Sequence, residues 1–465
     1  MTQLLRRIYQ HLPASSRSAA ATMRGVYLRS WRYGRDTERL VDAALGREHW
    51  SARQWKDWQE ERLAFVLHRA ATKVPYYREY WAGRKRNGGR TSWQYLENWP
   101  ILEKQALREN LAAFVADDCE RKKMFLDQTS GTTGTPLKIW QRRETVRAWY
   151  ALFEARARRW HGVSWKDRWA ILGGQPIISL DQRRPPFWVW NAAMNQLYIS
   201  TFHLKPEFIP YILDALRRYK ITHLVGYTAA LNVLAEHIVM LGRRDLNMKV
   251  VVTNAEPVYD YQRSRIAEAF QCPVRETYGM AEIVAAATEC EHGTLHLWPE
   301  AGWLEVLEKD QPAPAGTAGE LICTSLFNTD MPLIRYAVGD RMRMPAEAVQ
   351  CPCGRSLPVV AAIEGRTNDV LIARDGRKIF WLNPTFYGLP IREAQIVQES
   401  RERVKVFYAP SPEFTADSAG TIINRLRSEM GKIEVTLTPV DHIPREANGK
   451  FRAIVCKVNT AKAAN

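Results

Sequence analysis

The feature that most constrains this chain is an alternation between Asp167 and Gly279. "DRWAILGG" reads as a buried strand reaching a glycine turn, "PYILDALRRYK" as a helix and "THLVGYT" as a strand. "AALNVLAEHIVML" is again helical, "KVVVTNAEP" a strand, "DYQRSRIAEAF" a helix and "PVRETYG" a further strand. Strand and helix taking turns imply a mostly parallel sheet covered by helices, an α/β fold. Ligands of such sheets bind beyond the carboxyl ends of the strands. "GYT", "NAEP" and "YGMAE" all fall at those ends.

Other segments surround this region. Trp55 to Lys73 reads as an amphipathic helix that Pro75 stops. From about Leu295, "LHLWPE", "GWLEVLE", "GELICTSL" and "LIRYAVGDR" read as short strands with Gly/Pro turns, a β-rich subdomain. "EGRTNDVLIARDGRKIFW" offers a hairpin turning at Asp375-Gly376. The remainder alternates short strands with one helix near Ala419–Met430. The expected organisation is a basic, partly helical extension over 1–74, a large domain over 75–367, and a small α+β domain over 368–465.

Composition narrows the function classes. Among 465 residues no run of about 18 apolar residues would span a membrane. The start lacks the apolar stretch of a secretory signal, so a cytoplasmic protein with unpaired cysteines is expected. The net charge is +16, and residues 1–35 hold seven arginines and no acid. A solvated arm explains this. Attachment to an anionic membrane surface, helped by Leu4, Leu5, Ile8 and Tyr9, explains it too. No nucleic-acid motif accompanies the charge, so nucleic acid is not an expected partner.

"DQTSGTTGTPLKIW" (Asp127–Trp140) carries the first chemical signal. Gly131 and Gly134 let backbone amides approach a phosphate closely. Ser130, Thr132, Thr133 and Thr135 offer hydroxyls, and Lys138 adds charge. It is no Walker A loop, because Gly-Lys-Ser/Thr is absent. In isolation it is equally a polar turn between strands. Four further segments follow in order: "TYGMAE", "LIRYAVGDR", "EGRTNDVL" and "IPREANGKFRAIV". Together the five resemble the motifs of the adenylate-forming superfamily, which includes acyl-CoA synthetases, peptide-synthetase adenylation domains and luciferases.

The resemblance implies roles. The Ser130–Thr135 loop and Lys138 would clamp pyrophosphate. Tyr278, beside Gly279, would stack on adenine, and Glu282 would help to bind Mg2+, a hard cation suited to carboxylate oxygen. Asp340 would accept hydrogen bonds from the ribose, and Arg366 would reach the ribose or phosphate. Ala255, Glu256 and Pro257 of "NAEP" are counted with the nucleotide-binding residues. Lys450, Glu282 and Thr133 are the catalytic candidates, with Lys450 contacting the carboxylate and α-phosphate. Asn368 stands where the family's hinge carries an acid. Asn tolerates unusual backbone angles, so the swing is expected to survive with an altered balance of conformers.

"VVTNAEP", "ATEC…LHLWPE", "MPLIRY" and "CPCGRSLP" resemble the phenylacetate–CoA ligase branch, especially its CapK-like members. Cys351 and Cys353, with Cys290 and either His292 or His296, supply four N/S donors for structural zinc. Some members of the branch have such a site, with the histidine six residues after the first cysteine, which selects His296.

The implied reaction joins a carboxylic acid to ATP as an acyl-adenylate, releases pyrophosphate, and passes the acyl group to coenzyme A. CapK-like relatives suggest an amine or hydroxyl of a sugar in polysaccharide biosynthesis as another acceptor. Tyr227, Ala229 and Ala281 are the candidates for lining the acid pocket. A non-catalytic nucleotide-binding scaffold is the contrasting reading, motivated by Asn368.

Overall fold

A computed structural model describes residues 9–128, 137–366, 371–374, 378–379, 385–386, 389–444 and 452–458. Helices come first. α1 (Ala14–Arg32), α2 (Thr37–Arg47), α3 (Ala52–Lys73) and α4 (Pro75–Arg86) precede any strand. Ser51 and Gln54 form a capping box at the start of α3. Pro75 does end that helix, but it also begins α4. Proline lacks only an N–H that a first helical turn leaves unpaired, so one residue serves as stop and start.

α1 differs from the solvated arm that its arginines suggest. Arg17 is buried and donates to Gln182 Oε1 at 2.8 Å. Ser18 and Thr22 hydroxyls accept from the backbone of Trp190 and Ala192. Gly25 lies so close to Asn191 that a Cβ there would sit 2.1 Å from Asn191 Oδ1. Trp31 is buried at the far end. The helix is thus docked along the rim of the main sheet. Leu4, Leu5 and Ile8 lie outside the described residues.

After the short helix α5 (Lys104–Glu109), strands β1 (Phe125–Gln128) and β2 (Lys138–Gln141) pair antiparallel and bracket residues 129–136. α6 (Arg143–Phe153) continues as a π turn through Arg158. The alternating region then builds β3 (Trp169–Gly173), β4 (Trp188–Asn191), β5 (Gln196–Ser200), β6 (His223–Tyr227), β7 (Val250–Asn254), β8 (Val274–Gly279), β9 (Ala286–Glu289) and β10 (Leu295–Leu297). They form one eight-stranded sheet in the order β10-β9-β8-β7-β6-β3-β5-β4. The five strands β5, β3, β6, β7 and β8 are mutually parallel; β4, β9 and β10 add antiparallel edges.

Alternate residues of each strand face opposite layers. Ala170, Leu172, Leu224, Val251 and Val274 pack with α7 (Ile209–Arg218), α8 (Thr228–Met240) and α9 (Asp260–Phe270). Trp169, Val225, Val250 and Val252 face Phe153 and Ala157 of α6 and its extension. Strands buried on both faces explain the near-continuous apolar runs of this region.

The β-rich subdomain starts slightly later than its texture suggests. Leu295–Leu297 pairs with β9 and belongs to the large sheet, because the Cys290–Gly293 turn folds the chain straight back. The separate five-stranded sheet runs β12-β11-β13-β14-β15, with β11 (Gly302–Glu308), β12 (Gln311–Pro312), β13 (Ala318–Ser325), β14 (Tyr336–Arg343) and β15 (Ala362–Arg366). Val66, Leu67, Tyr77, Trp99 and Phe114 share a core with this sheet's Leu321, Cys323 and Tyr336.

β16 (Leu371–Ile372) and β17 (Lys378–Ile379) pair antiparallel; the expected turn at Asp375-Gly376 lies outside the described residues. β18 (Ile391–Gln398), β19 (Arg403–Pro410), β20 (Glu434–Pro439) and β21 (Ile454–Cys456) then form a four-stranded sheet packed by α10 (Ala416–Met430). The architecture is therefore mixed α/β, with a helix-covered large sheet, a β-rich subdomain and a small α+β C-terminal unit.

Candidate active site and metal centre

The carboxyl ends of the parallel strands gather most of the described candidates. Tyr227 ends β6, Asn254 ends β7 in register with it, and Tyr278 and Gly279 end β8. Ala255 turns the chain with φ +62, in the left-handed region. That turn aims Glu256 at α8, where its Oε2 accepts the Ala229 N–H at 2.8 Å. A carboxylate at a helix N-terminus is favourably placed against the helix dipole. Glu256 and Ala229 are thus partners at the start of α8.

Two tyrosines organise the acidic residues. Tyr278 donates to Asp340 Oδ2 at 2.7 Å, bridging β8 and β14. Burial, then the Asp340 charge, pushes the Tyr278 hydroxyl well above its ordinary value, so it stays a donor. Tyr336, which is completely buried, donates to Glu282 Oε1 at 2.8 Å. Burial leads, and Glu282 follows, in raising the Tyr336 hydroxyl. Each tyrosine holds one oxygen of its carboxylate. Asp340 is also the register partner of Arg366 in β14–β15, and Gly339 before it has φ +81.

The β1–β2 hairpin is fastened to the same place. Gln141 Nε2 donates to the Ala281 carbonyl at 3.2 Å, and Asn328 Nδ2 donates to the Trp140 carbonyl at 2.9 Å. Lys138 stands exposed at the start of β2. Ser130, Gly131, Thr132, Thr133, Gly134, Thr135, Asn368 and Lys450 lie outside the described residues, as does the Arg366 side chain.

Sequence reasoning passed over several of these groups. Tyr336 lies inside "RYAVGD", but nothing in the string shows that its hydroxyl meets a glutamate 54 positions upstream. Glu276, two residues before Tyr278 on β8, joins Arg263 and Glu289: Arg263 grips Glu289 at 2.8 and 2.9 Å, and Glu276 lies 3.6 Å from Arg263. Burial and then the Glu289 charge lift Glu276 to about 7.

A second cluster lies at the β9–β10 turn. Cys290, His296, Cys351 and Cys353 bring their ligand atoms within 4.8 Å of one another. Cys290 Sγ is 3.6 Å from Cys351 Sγ, and Cys353 Sγ is 3.4 Å from His296 Nε2. Four donors on a zinc-sized ion at ordinary Zn–S lengths stand about 3.8 Å apart, so the set fits. His296 Nδ1 meets the Leu357 carbonyl at 3.1 Å, leaving Nε2 for the cluster, an arrangement common to metal-bound histidines. Burial acts to raise the Cys351 thiol, but hydrogen bonds from Thr294, the Cys353 amide and His296 outweigh it and bring it to about 6. His292, the alternative histidine, is exposed on the turn.

The fold and the gathered carboxylates define the class. The AMP-binding enzyme model matches residues 56–329, more than half of the chain, and the chain belongs to that family. It is an adenylate-forming enzyme of the acyl-CoA ligase superfamily. A model of the CapK C-terminal domain matches residues 371–457.

Among individual proteins, Staphylococcus aureus protein CapK is 25% identical over 468 residues, covering 97% of this chain and 98% of that one. A phenylacetate–coenzyme A ligase from Thermus thermophilus is 28% identical over 247 residues, covering 45% and 54%. Crystal structures of 2-hydroxyisobutyryl-CoA ligase share the fold. In its postadenylation state the TM-score is 0.67 at 20% identity, covering 89% of this chain and 92% of that one. In its thioesterification state the TM-score is 0.54 at 21% identity, with the same coverage.

Proposed function

We propose that this chain activates a small carboxylic acid as an acyl-adenylate, with release of pyrophosphate, and transfers the acyl group to coenzyme A. The observation that carries the reading is the pair of tyrosine-held carboxylates, Glu282 just beyond the end of β8 and Asp340 within β14, each bonded to a tyrosine of these strands. Asp340 is poised to accept from ribose hydroxyls, and Tyr278 to stack on adenine. Glu282 would hold Mg2+, whose charge stabilises the phosphates. Ser130, Thr132, Thr133 and Thr135, with Lys138, would hold the leaving pyrophosphate. Lys450 would neutralise charge developing at the α-phosphate, a preorganised electrostatic role. No side chain need become a covalent nucleophile.

The resemblance to CapK-like proteins, with the match to the CapK C-terminal domain over 371–457, motivates a second reading with another acceptor. The small domain completes the acceptor side of the reaction in this reading. An amine or hydroxyl of a sugar then takes the place of the thiol. The four-donor cluster would hold zinc as a structural staple, since four protein ligands leave no open position for water.

Acid-dependent ATP–pyrophosphate exchange tests the first half-reaction. Lys450→Ala should abolish exchange with the fold intact, and unchanged exchange would remove Lys450 from its role. If a broad acid panel gives no exchange while ATP still binds, the chain is a nucleotide-binding scaffold. Product analysis with coenzyme A and with amino sugars then separates the two acceptors.

A further inference from the structure

Within the adenylation reading, on which this inference rests, one group at the strand ends has no assigned work. Five residues close the five parallel strands: Gly173, Ser200, Tyr227, Asn254 and Gly279. Ser200 is bonded to His203 Nδ1 at 2.8 Å, Tyr227 has a partner, and the glycines have no side chain. Asn254 Oδ1 is buried and meets no hydrogen-bond donor among the described residues. Buried amide oxygens nearly always have a donor, so an unmatched one needs an explanation.

The position supplies one. β7 lies between β6 and β8, so Asn254 stands between Tyr227 and the strand that carries Tyr278 near its end. The acid must lie beside the nucleotide, in the crevice outside these strand ends. Asn254 is also held from both sides. Its register with Tyr227 fixes the strand, and Thr277 Oγ1 donates to the Thr253 carbonyl at 2.7 Å. Beyond it, the left-handed Ala255 and the Glu256–Ala229 bond fix the turn. A rigid, dry acceptor is suited to reading a donor on a ligand.

We propose that Asn254 selects the acid substrate by accepting a hydrogen bond from an amino or hydroxyl group borne near its carboxylate. The substrate class is thus amino or hydroxy acids, not unsubstituted alkyl or aryl acids. A site built around a buried polar group discriminates strongly against an analogue that leaves it unpaired.

The test is ATP–pyrophosphate exchange with matched sets on one skeleton: propionate, lactate and alanine; butyrate, 3-hydroxybutyrate and 3-aminobutyrate; phenylacetate, mandelate and phenylglycine. The hydroxy or amino member of at least one set should exceed its unsubstituted parent by about tenfold or more in kcat/KM. The two arms show which donor is read. Asn254→Leu, close in size without an acceptor, should bring that ratio near one by weakening the substituted acid. Asn254→Asp keeps an acceptor and should keep the preference, shifted toward the amino acid. Melting temperature and ATP binding confirm that each variant is folded. Equal or better use of the parent acids, or a ratio unmoved in Asn254→Leu, overturns the assignment and leaves adenylation standing. No exchange with any acid while ATP binds overturns adenylation, and this inference with it.

Discussion

Tyr336 and Glu282 show how much a single hydroxyl decides. The Tyr336–Glu282 bond fixes one carboxylate oxygen in a buried site, and in the proposed reaction the other would meet Mg2+. Tyr336→Phe keeps the ring that fills this core and deletes only the donor. It should raise the Mg2+ concentration needed for half-maximal exchange several-fold and weaken Mn2+ binding in the ATP complex, read by electron paramagnetic resonance. The loss of one hydrogen bond to a buried charge costs about 1–3 kcal/mol, so the protein should remain folded. Glu276 makes a separate prediction. Its folded value near 7 lies above the ordinary 4.5, so the folded state binds the extra proton. Stability therefore falls as pH rises from about 4.5 to 7. Glu276→Gln should flatten that slope in denaturant titrations run across this range.

At the scale of elements, the four-donor cluster and the N-terminal helices form one joint. Glu48, just after α2, accepts from Trp160 Nε1 at 2.8 Å and from Arg355 Nε at 3.1 Å. Arg355 follows Cys353 by two residues and reaches on to Glu291, beside Cys290. The four donors thus sit at the centre of contacts among α2, the β9–β10 turn and the "CPCGR" loop. Metal analysis should find about one zinc per chain. Chelation should lower the melting temperature and open 14–50 to proteolysis; a metal-free, fully stable protein would refute the site. Near this joint Arg156 binds Glu300 through two bonds of 2.9 Å, with both side chains almost fully buried. Breaking a buried pair strands a charge, so Glu300→Ala should cost about 3–5 kcal/mol in chemical denaturation.

For the whole molecule, the docking of α1 changes what a truncation does. Removing residues 1–35 strips buried Trp31 and Tyr33 and uncovers the β4 edge. Each large buried side chain contributes about 1.5–3 kcal/mol, so the truncated protein should melt at a clearly lower temperature. Vesicle sedimentation on the full chain, with and without anionic lipid, tests the membrane role of its arginines independently of stability. Among the described residues no helix is long and apolar enough to cross a membrane. The small domain touches the large one through Arg392 and Glu236, 3.6 Å apart.

The sequence by itself determined the alternation of the large sheet and the ordered series of motifs. Both are local: apolar runs and glycine turns are written in consecutive residues, and each motif is a few residues long. "VVTNAEP" and "TYGMAE" mark strand ends within a few consecutive residues. The same string showed Pro75 as a stop, and not as the start of α4, because that depends on the next turn packing into a core. It showed seven arginines in residues 1–35, but not that Arg17 would find Gln182 across 165 positions. Only the tertiary structure decided which tyrosine holds which carboxylate, that His296 and three cysteines converge, and which strand-end amide meets no donor among the described residues. Those are pairings between residues far apart in the chain. They are set by register, by turns such as the left-handed Ala255, and by the cost of burying a polar group unpaired.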